Sequence, residues 1–301
     1  WAIAHGSTGE DYLYTFDPGT QEQEWQSESV NGPFEKIQVF DVDNDGIEEL
    51  ITLAPGTSNY YNQSQVSFWD PYTHEQEWKS PGNMFYYSTV IFDFAIFDTD
   101  NDGVSEIVLP TSKNYKAALY VLDPVTHQIQ NEYFYDNPEK FTDIAIADPD
   151  NDGKMEYILG APTTVMVVDV ETAVVEWSLP EYHYFDHYHC QLMVENIDQA
   201  PAGEIILFSD SLKIIDGVTH AVVTVGDNIA SYDLYDLDND GYKEIIFGTT
   251  TGKIGVVDSP GTTISWLPVQ MEKRIGGLRV DDLTGSSEPE LIFVSSGRVW
   301  F

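Results

Sequence analysis

Short apolar runs recur along this chain at a steady interval, and none carries helical periodicity. ELITLA (49–54), EIVLP (106–110), EIILF (204–208), EIIFG (244–248) and ELIFV (290–294) each open on Glu and continue with apolar residues. Runs this short, rich in Ile, Leu and Val, predict β-strands buried on both faces rather than helices. A second pattern alternates with the first: an apolar run, then Asp, two residues, Thr, and often a Trp some five residues on. Its copies are YTFDPGTQEQEW (14–25), SFWDPYTHEQEW (67–78), YVLDPVTHQIQNEY (120–133), MVVDVETAVVEW (166–177) and KIIDGVTHAVV (213–223), and GVVDSPGTTISW (255–266) carries one extra residue. Asp-x-x-Thr between two extended segments predicts a hairpin turn.

The two patterns together place about four short strands in each unit of roughly 40 to 57 residues. That spacing points to a propeller or a solenoid. Four strands per unit select the propeller, whose blades are four-stranded antiparallel sheets. The expected fold is therefore all-β, a β-propeller of four-stranded blades, as one domain over residues 1–301. Full blades are expected at 29–80, 81–135, 136–182, 183–226 and 227–269, with partial blades at 1–27 and 270–301. Seven blades with an incomplete first and last fit best; six blades, or a fragment of a longer chain, are the alternatives. The chain starts inside a strand at Trp1 and stops at Phe301 as a cut piece would. No signal peptide and no run of 18 apolar residues is present.

Between the first two strands of a unit lies an acidic nine-residue loop. It reads DVDNDGIEE (41–49), DTDNDGVSE (98–106), DPDNDGKME (148–156) and DLDNDGYKE (236–244), always with Asp at positions 1, 3 and 5, Gly at 6 and Glu at 9. Asp41, Asp43 and Asp45 can converge on one point, Gly46 permits the left-handed backbone that folds the loop back, and the carbonyl of Ile47 and the carboxylate of Glu49 complete a shell of about six or seven oxygens. So many carboxylates suit calcium better than magnesium, which keeps its waters. The same roles fall to Asp98, Asp100, Asp102, Val104 and Glu106; to Asp148, Asp150, Asp152, Lys154 and Glu156; and to Asp236, Asp238, Asp240, Tyr242 and Glu244, giving about four Ca²⁺ ions. An EF-hand is rejected because its twelfth position needs a bidentate Glu, whereas Thr52, Leu109, Leu159 and Phe247 stand there. Two worn copies, NIDQAPAGE (196–204) and DLTGSSEPE (282–290), keep the length and the following strand but lack the full acid set. They are expected to keep the turn and to hold no metal.

The loop followed by an apolar strand resembles the FG-GAP, or VCBS, repeat of integrin α-subunit propellers and of many secreted microbial proteins. The resemblance covers essentially the whole chain. It implies structural calcium at the four intact loops, on the face opposite the usual ligand surface. By that resemblance the protein belongs outside the cell or on its surface.

Charge sharpens this setting. Asp and Glu number 51 against 13 Lys and Arg, a net of −38, which four Ca²⁺ would bring only to −30. Such a surface repels nucleic acid and anionic membranes, so neither is an expected partner. Cys190 is the single cysteine, so an internal disulfide is excluded. No GxSxG, HExxH or P-loop motif occurs, and no catalytic residue is assigned.

One segment stands apart, EYHYFDHYHC (181–190), in which His187 and His189 share a strand face near Asp186 and His183. It leads into a first strand, as do Phe34, Tyr86, Phe141 and Tyr232 in other units. These residues form the candidate ligand face, on the opposite end of the blades from the calcium loops. The expected function is a recognition or adhesion module for a protein or carbohydrate ligand. Alternatives are a polysaccharide lyase or glycosidase on a calcium-bearing propeller, and a structural subunit of a surface layer or filament.

Overall fold

In the computed structural model the strands fall into seven antiparallel sheets, with no helix among the described residues. The structure describes the chain outside residues 1, 5–9, 18, 21, 29, 32–33, 55–63, 86–90, 115, 137, 139, 162–163, 181–190, 209–210, 259–262, 283–284, 286–288 and 301. It forms two compact units, residues 1–146 with 157–184 and residues 147–156 with 185–301.

Five sheets are four-stranded meanders in sequence order. The second sheet comprises Lys36–Phe40, Glu49–Ala54, Gln65–Trp69 and Gln76–Lys79; the third Ala95–Phe97, Glu106–Lys113, Lys116–Asp123 and Gln128–Tyr135; the fourth Asp143–Ala147, Glu156–Ala161, Thr164–Asp169 and Val175–Pro180. The fifth comprises Gln191–Glu195, Glu204–Phe208, Ser211–Asp216 and Val222–Asp227; the sixth Ile229–Tyr235, Glu244–Thr249, Lys253–Val257 and Ile264–Gln270. The first sheet holds Ala2–Ala4, Glu10–Phe16 and Gln23–Gln26, with Val30–Asn31 pairing back onto Glu10 and Asp11. The seventh holds Ile275–Asp281, Glu290–Ser295 and Arg298–Trp300.

Burial follows strand position. Second strands are buried at every residue in Glu49–Ala54, Glu156–Ala161 and Glu244–Thr249. The outermost strands Gln23–Gln26 and Gln76–Lys79 are exposed except at their Trp, which is half-buried. A strand covered on both faces must be apolar throughout, and one at an outer edge need not be. The core lies between neighbouring sheets. In the first unit Ile51, Leu53 and Phe68 pack with Phe94, Ile107 and Tyr120 of the next sheet. In the second unit Ile206, Phe208 and Ile214 pack with Ile245, Phe247 and Val257.

The Asp-x-x-Thr segments are the hairpins between third and fourth strands. Asp70 Oδ1 accepts the N–H of Tyr72 at 2.7 Å and of Thr73 at 2.8 Å, and Asp17, Asp123 and Asp216 repeat the pair of bonds. These bonds hold the Asp17, Asp70 and Asp216 carboxyls below their ordinary range. The residue after the Thr takes the left-handed conformation: His74 at φ 64°, His127 at 59°, Ala173 at 54° and His220 at 57°. Histidine is an unusual tenant there, and two of the rings gain a partner. His74 stacks on Trp25 of the preceding sheet (4.7 Å between centroids, 13°), and His127 stacks on Trp78 (4.7 Å, 10°). Just past the hairpin the register slips by one residue in the first four sheets. Phe68 opposes Trp78 while Trp69 opposes Gln76, so Glu77 is left over as a bulge. Glu24, Gln130 and Glu176 occupy the same bulge in the first, third and fourth sheets.

Candidate metal centres

Each acidic loop is closed at its stem by the strands that it joins; Phe40 pairs with Glu49 across loop 41–49. Inside the loop the carboxylates organise the backbone before any ion is considered. Asp41 Oδ1 accepts the N–H of Asp45 at 3.1 Å and its Oδ2 that of Gly46 at 3.0 Å, while Asp43 Oδ1 accepts the Asp45 N–H at 3.2 Å. Asn44 and Gly46 are left-handed, at φ 62° and 92°. A Cβ added at Gly46 would meet nothing within 4 Å, so glycine is required by the backbone angle, not by lack of room. The other three loops repeat these bonds within about 0.1 Å.

Three side chains converge in each loop. One carboxylate oxygen from each of Asp41, Asp43 and Glu49 lies within 4.8 Å of the other two, and the same holds for Asp98, Asp100 and Glu106; Asp148, Asp150 and Glu156; and Asp236, Asp238 and Glu244. Two oxygens bound to one Ca²⁺ at 2.3–2.6 Å can be no more than about 5 Å apart, so the spacing in each triad is compatible with one shared metal ion. The position-5 acids Asp45, Asp102, Asp152 and Asp240 are not in the triads. Each turns its Oδ1 to the N–H of position 7, at 2.8–2.9 Å from Ile47, Val104, Lys154 and Tyr242.

The Glu of each triad is the buried member. Glu49 is 5 % exposed and its carboxyl is pushed up to about 7, by burial first and then by the charges of Asp43, Glu77 and Asp41, against the N–H of Val42 that donates to its Oε2 at 2.9 Å. Burial likewise raises Glu106 and Glu244, opposed at Glu106 by the hydroxyl and N–H of Thr99 and at Glu244 by the N–H of Leu237. Acids gathered this closely repel one another; a pair at 4 Å is worth about 1 kcal/mol in water and about 4 at the effective dielectric near a protein surface. A divalent cation would reverse the sign of that term. The third loop departs at position 2, where Pro149 has no N–H to give. Its carbonyl instead accepts the N–H of Gly203 at 2.9 Å, and a Cβ on Gly217 would fall 2.0 Å from the same oxygen.

At the worn loop 196–204 no group of three ligand side chains forms among the described residues. The loop closes on itself: Asn196 Nδ2 donates to the Ala200 carbonyl at 2.6 Å, Asp198 Oδ1 accepts the Ala200 N–H at 2.6 Å, and Glu204 Oε2 accepts the Ile197 N–H at 2.9 Å. In loop 282–290, Thr284 and Ser286 lie outside the described residues.

Sequence reasoning missed the outer-strand bulge. Gln130 Nε2 donates to Asp100 Oδ2 at 2.9 Å, so a residue from the fourth strand reaches a triad member. The available signal was a Glu or Gln seven residues after the hairpin Asp.

The candidate ligand face needs correction at two members. Phe34 and Phe141 are 2 % and 0 % exposed, as is their relative Phe85 at 2 %. Phe34 packs with Leu13, Leu50 and Trp69, and Phe141 lies edge-on to Tyr135, because rings at these positions fill the core rather than the surface. Tyr232 is half-buried and stacks on Phe208. Tyr86, His187 and His189, with His183, Asp186 and Cys190, lie outside the described residues.

No protein-family model matches the chain, and no curated protein sequence matches it. Solved structures do match in fold. BBS1N, crystallised in complex with ARL6DN, superposes with a TM-score of 0.60 at 12 % identity over 97 % of this chain and 87 % of its own. The Dos1 propeller superposes with a TM-score of 0.61 at 11 % identity, over 96 % of this chain and 73 % of its own. The fold is a β-propeller. The biofilm matrix protein Bap1 of V. cholerae matches with a TM-score of 0.58 at 14 % identity, over 83 % of this chain and 42 % of its own. The five four-stranded meanders above are thus blades, and the blade count is six or seven.

Proposed function

We propose that this chain is an extracellular, calcium-stabilised propeller of the FG-GAP/VCBS type, acting as a recognition or adhesion module for a protein or carbohydrate ligand. The observation that carries the reading is the fourfold convergence of two Asp and one buried Glu at the same blade position. In this reading the calcium is structural and would be held by Asp41, Asp43, Glu49 and their equivalents, with the position-5 acids and position-7 carbonyls completing the shell. It would supply charge neutralisation to a chain of net −38 whose lone Cys190 precludes an internal disulfide staple.

The recognition role draws its support from the propeller neighbours, one of which was crystallised with a partner protein and another of which is a biofilm matrix protein. Ligand contacts in this reading fall on the segments that lead into first strands, to which the sequence assigns Tyr86, His187 and His189, because those segments can vary without disturbing the meander. Residues 1–301 act in this reading as one domain.

Calorimetric titration of the chelated chain with Ca²⁺ tests the proposal. About four ions should bind, with affinities in the weak range of extracellular modules, on the order of 10⁻⁴ to 10⁻³ M. Absence of any binding at millimolar calcium would end the reading. A screen of immobilised glycans and cell-surface proteins against the calcium-loaded chain, repeated in chelator, then tests whether recognition depends on the loaded fold.

A further inference from the structure

The hairpin bulge has a consequence for the metal loops. In the third blade the left-over residue is Gln130, and its amide reaches Asp100 Oδ2 at 2.9 Å. In the second blade the same register slip leaves Glu77 over. Strand order and hairpin length are shared by the two blades, so Glu77 is delivered to the same end of its sheet, beside loop 41–49. Charge coupling agrees with that placement. Burial, and then the charges of Asp70, Asp43 and Asp45, hold the Glu77 carboxyl above its ordinary range, and Glu77 in turn helps to raise Glu49.

We infer that the Glu77 carboxylate is a further, outer-strand contributor to the cation site of loop 41–49, and that Gln130 is its neutral counterpart at loop 98–106. The inference rests on the calcium reading of the loops. It makes three of the sites unequal: loop 41–49 faces a further carboxylate from the outer strand, loop 98–106 an uncharged amide, and loop 236–244 neither, since in the sixth blade Ser265 is regularly paired with Val256 and no residue is left over at that point. The fifth blade, whose loop is worn, also lacks the slip there: Val223 pairs with Ile214. Glu77 therefore grades affinity among the loops; it does not create a site.

A single negative charge about 5 Å from a divalent ion in water is worth roughly a tenfold change in affinity. The test is a reciprocal exchange in the full chain, Glu77→Gln and Gln130→Glu, with calcium titrated by calorimetry and site occupancy followed by Tb³⁺ luminescence. Glu77→Gln should weaken one ion about tenfold at unchanged stoichiometry, and Gln130→Glu should tighten one ion by a similar factor. Melting provides a second readout. Without calcium, Gln130→Glu should lower the melting temperature and Glu77→Gln should raise it; with saturating calcium both signs should reverse. Wild-type binding that neither variant changes by more than twofold overturns the inference and leaves the loops as calcium sites. No wild-type binding overturns both.

Discussion

Loops 41–49 and 196–204 occupy the same place in their blades, have the same length and share one buried bond, yet they close by different means. In both, the Glu that opens the second strand accepts the N–H of position 2, Val42 in one and Ile197 in the other, at 2.9 Å. Beyond that bond they part. Loop 41–49 gathers three carboxylates within 4.8 Å of one another, an arrangement that a cation would make more favourable. Loop 196–204 substitutes an amide for the first acid, and Asn196 closes the turn with an N–H to Ala200 that needs no ion. The comparison separates the two duties of the motif. The strand-to-strand turn survives the loss of acids, because the Glu anchor and local amide bonds carry it. The ion binding proposed for the intact loop would not survive it, because that needs charge as well as geometry.

The largest way to break the comparison is to remove calcium. An ion at a hundredfold excess over its dissociation constant contributes about 2.7 kcal/mol. Chelation should therefore lower the melting temperature sharply by calorimetry. Hydrogen exchange should accelerate at the amides of Asp45, Asp102, Asp152 and Asp240 and stay unchanged at Ala200. Equal acceleration at Ala200 would erase the distinction.

Exchanging the anchor acid comes next. Glu49→Gln should remove one ion from the binding stoichiometry and cost about that ion's 2–3 kcal/mol in calcium. Glu204→Gln should leave the stoichiometry intact, since its side chain accepts the amide of Ile197 and joins no triad of ligand side chains among the described residues. Loss of an ion in the second variant would mean that the worn loop is a site.

A backbone contact comes third. Gly217 abuts the carbonyls of Pro149 and Gly203, at 2.0 and 2.6 Å from a built Cβ, so it ties the worn loop to the intact loop 148–156. Gly217→Ala forces these backbones apart and should cost about 1–3 kcal/mol in urea unfolding, equally with and without calcium. The smallest effect belongs to Asn196→Ala. It removes the side-chain bond to the Ala200 carbonyl and the longer one accepted from the Asp198 N–H, and should cost about 1 kcal/mol, again independent of calcium.

What the sequence determined by itself was local. Apolar second strands, hairpins capped by Asp17, Asp70, Asp123 and Asp216, and the glycine of each loop are dictated within a span of a few residues: by burial on both faces, by Asp oxygens accepting amides two and three residues on, and by one positive φ. Repetition then turned these local signals into a four-stranded blade. The chain pattern did not carry what depends on packing between strands and blades. Phe34 and Phe141 read as surface rings by alignment and are core residues, because the neighbouring sheet closes over them. His74 and His127 look like solvated turn residues until the preceding blade brings Trp25 and Trp78 against their rings, about 50 residues away in the chain. Gln130 meets Asp100 only because a one-residue slip in the outer strand aims it at the loop. Contacts of this kind join residues on different strands or blades, so only the tertiary structure decides them.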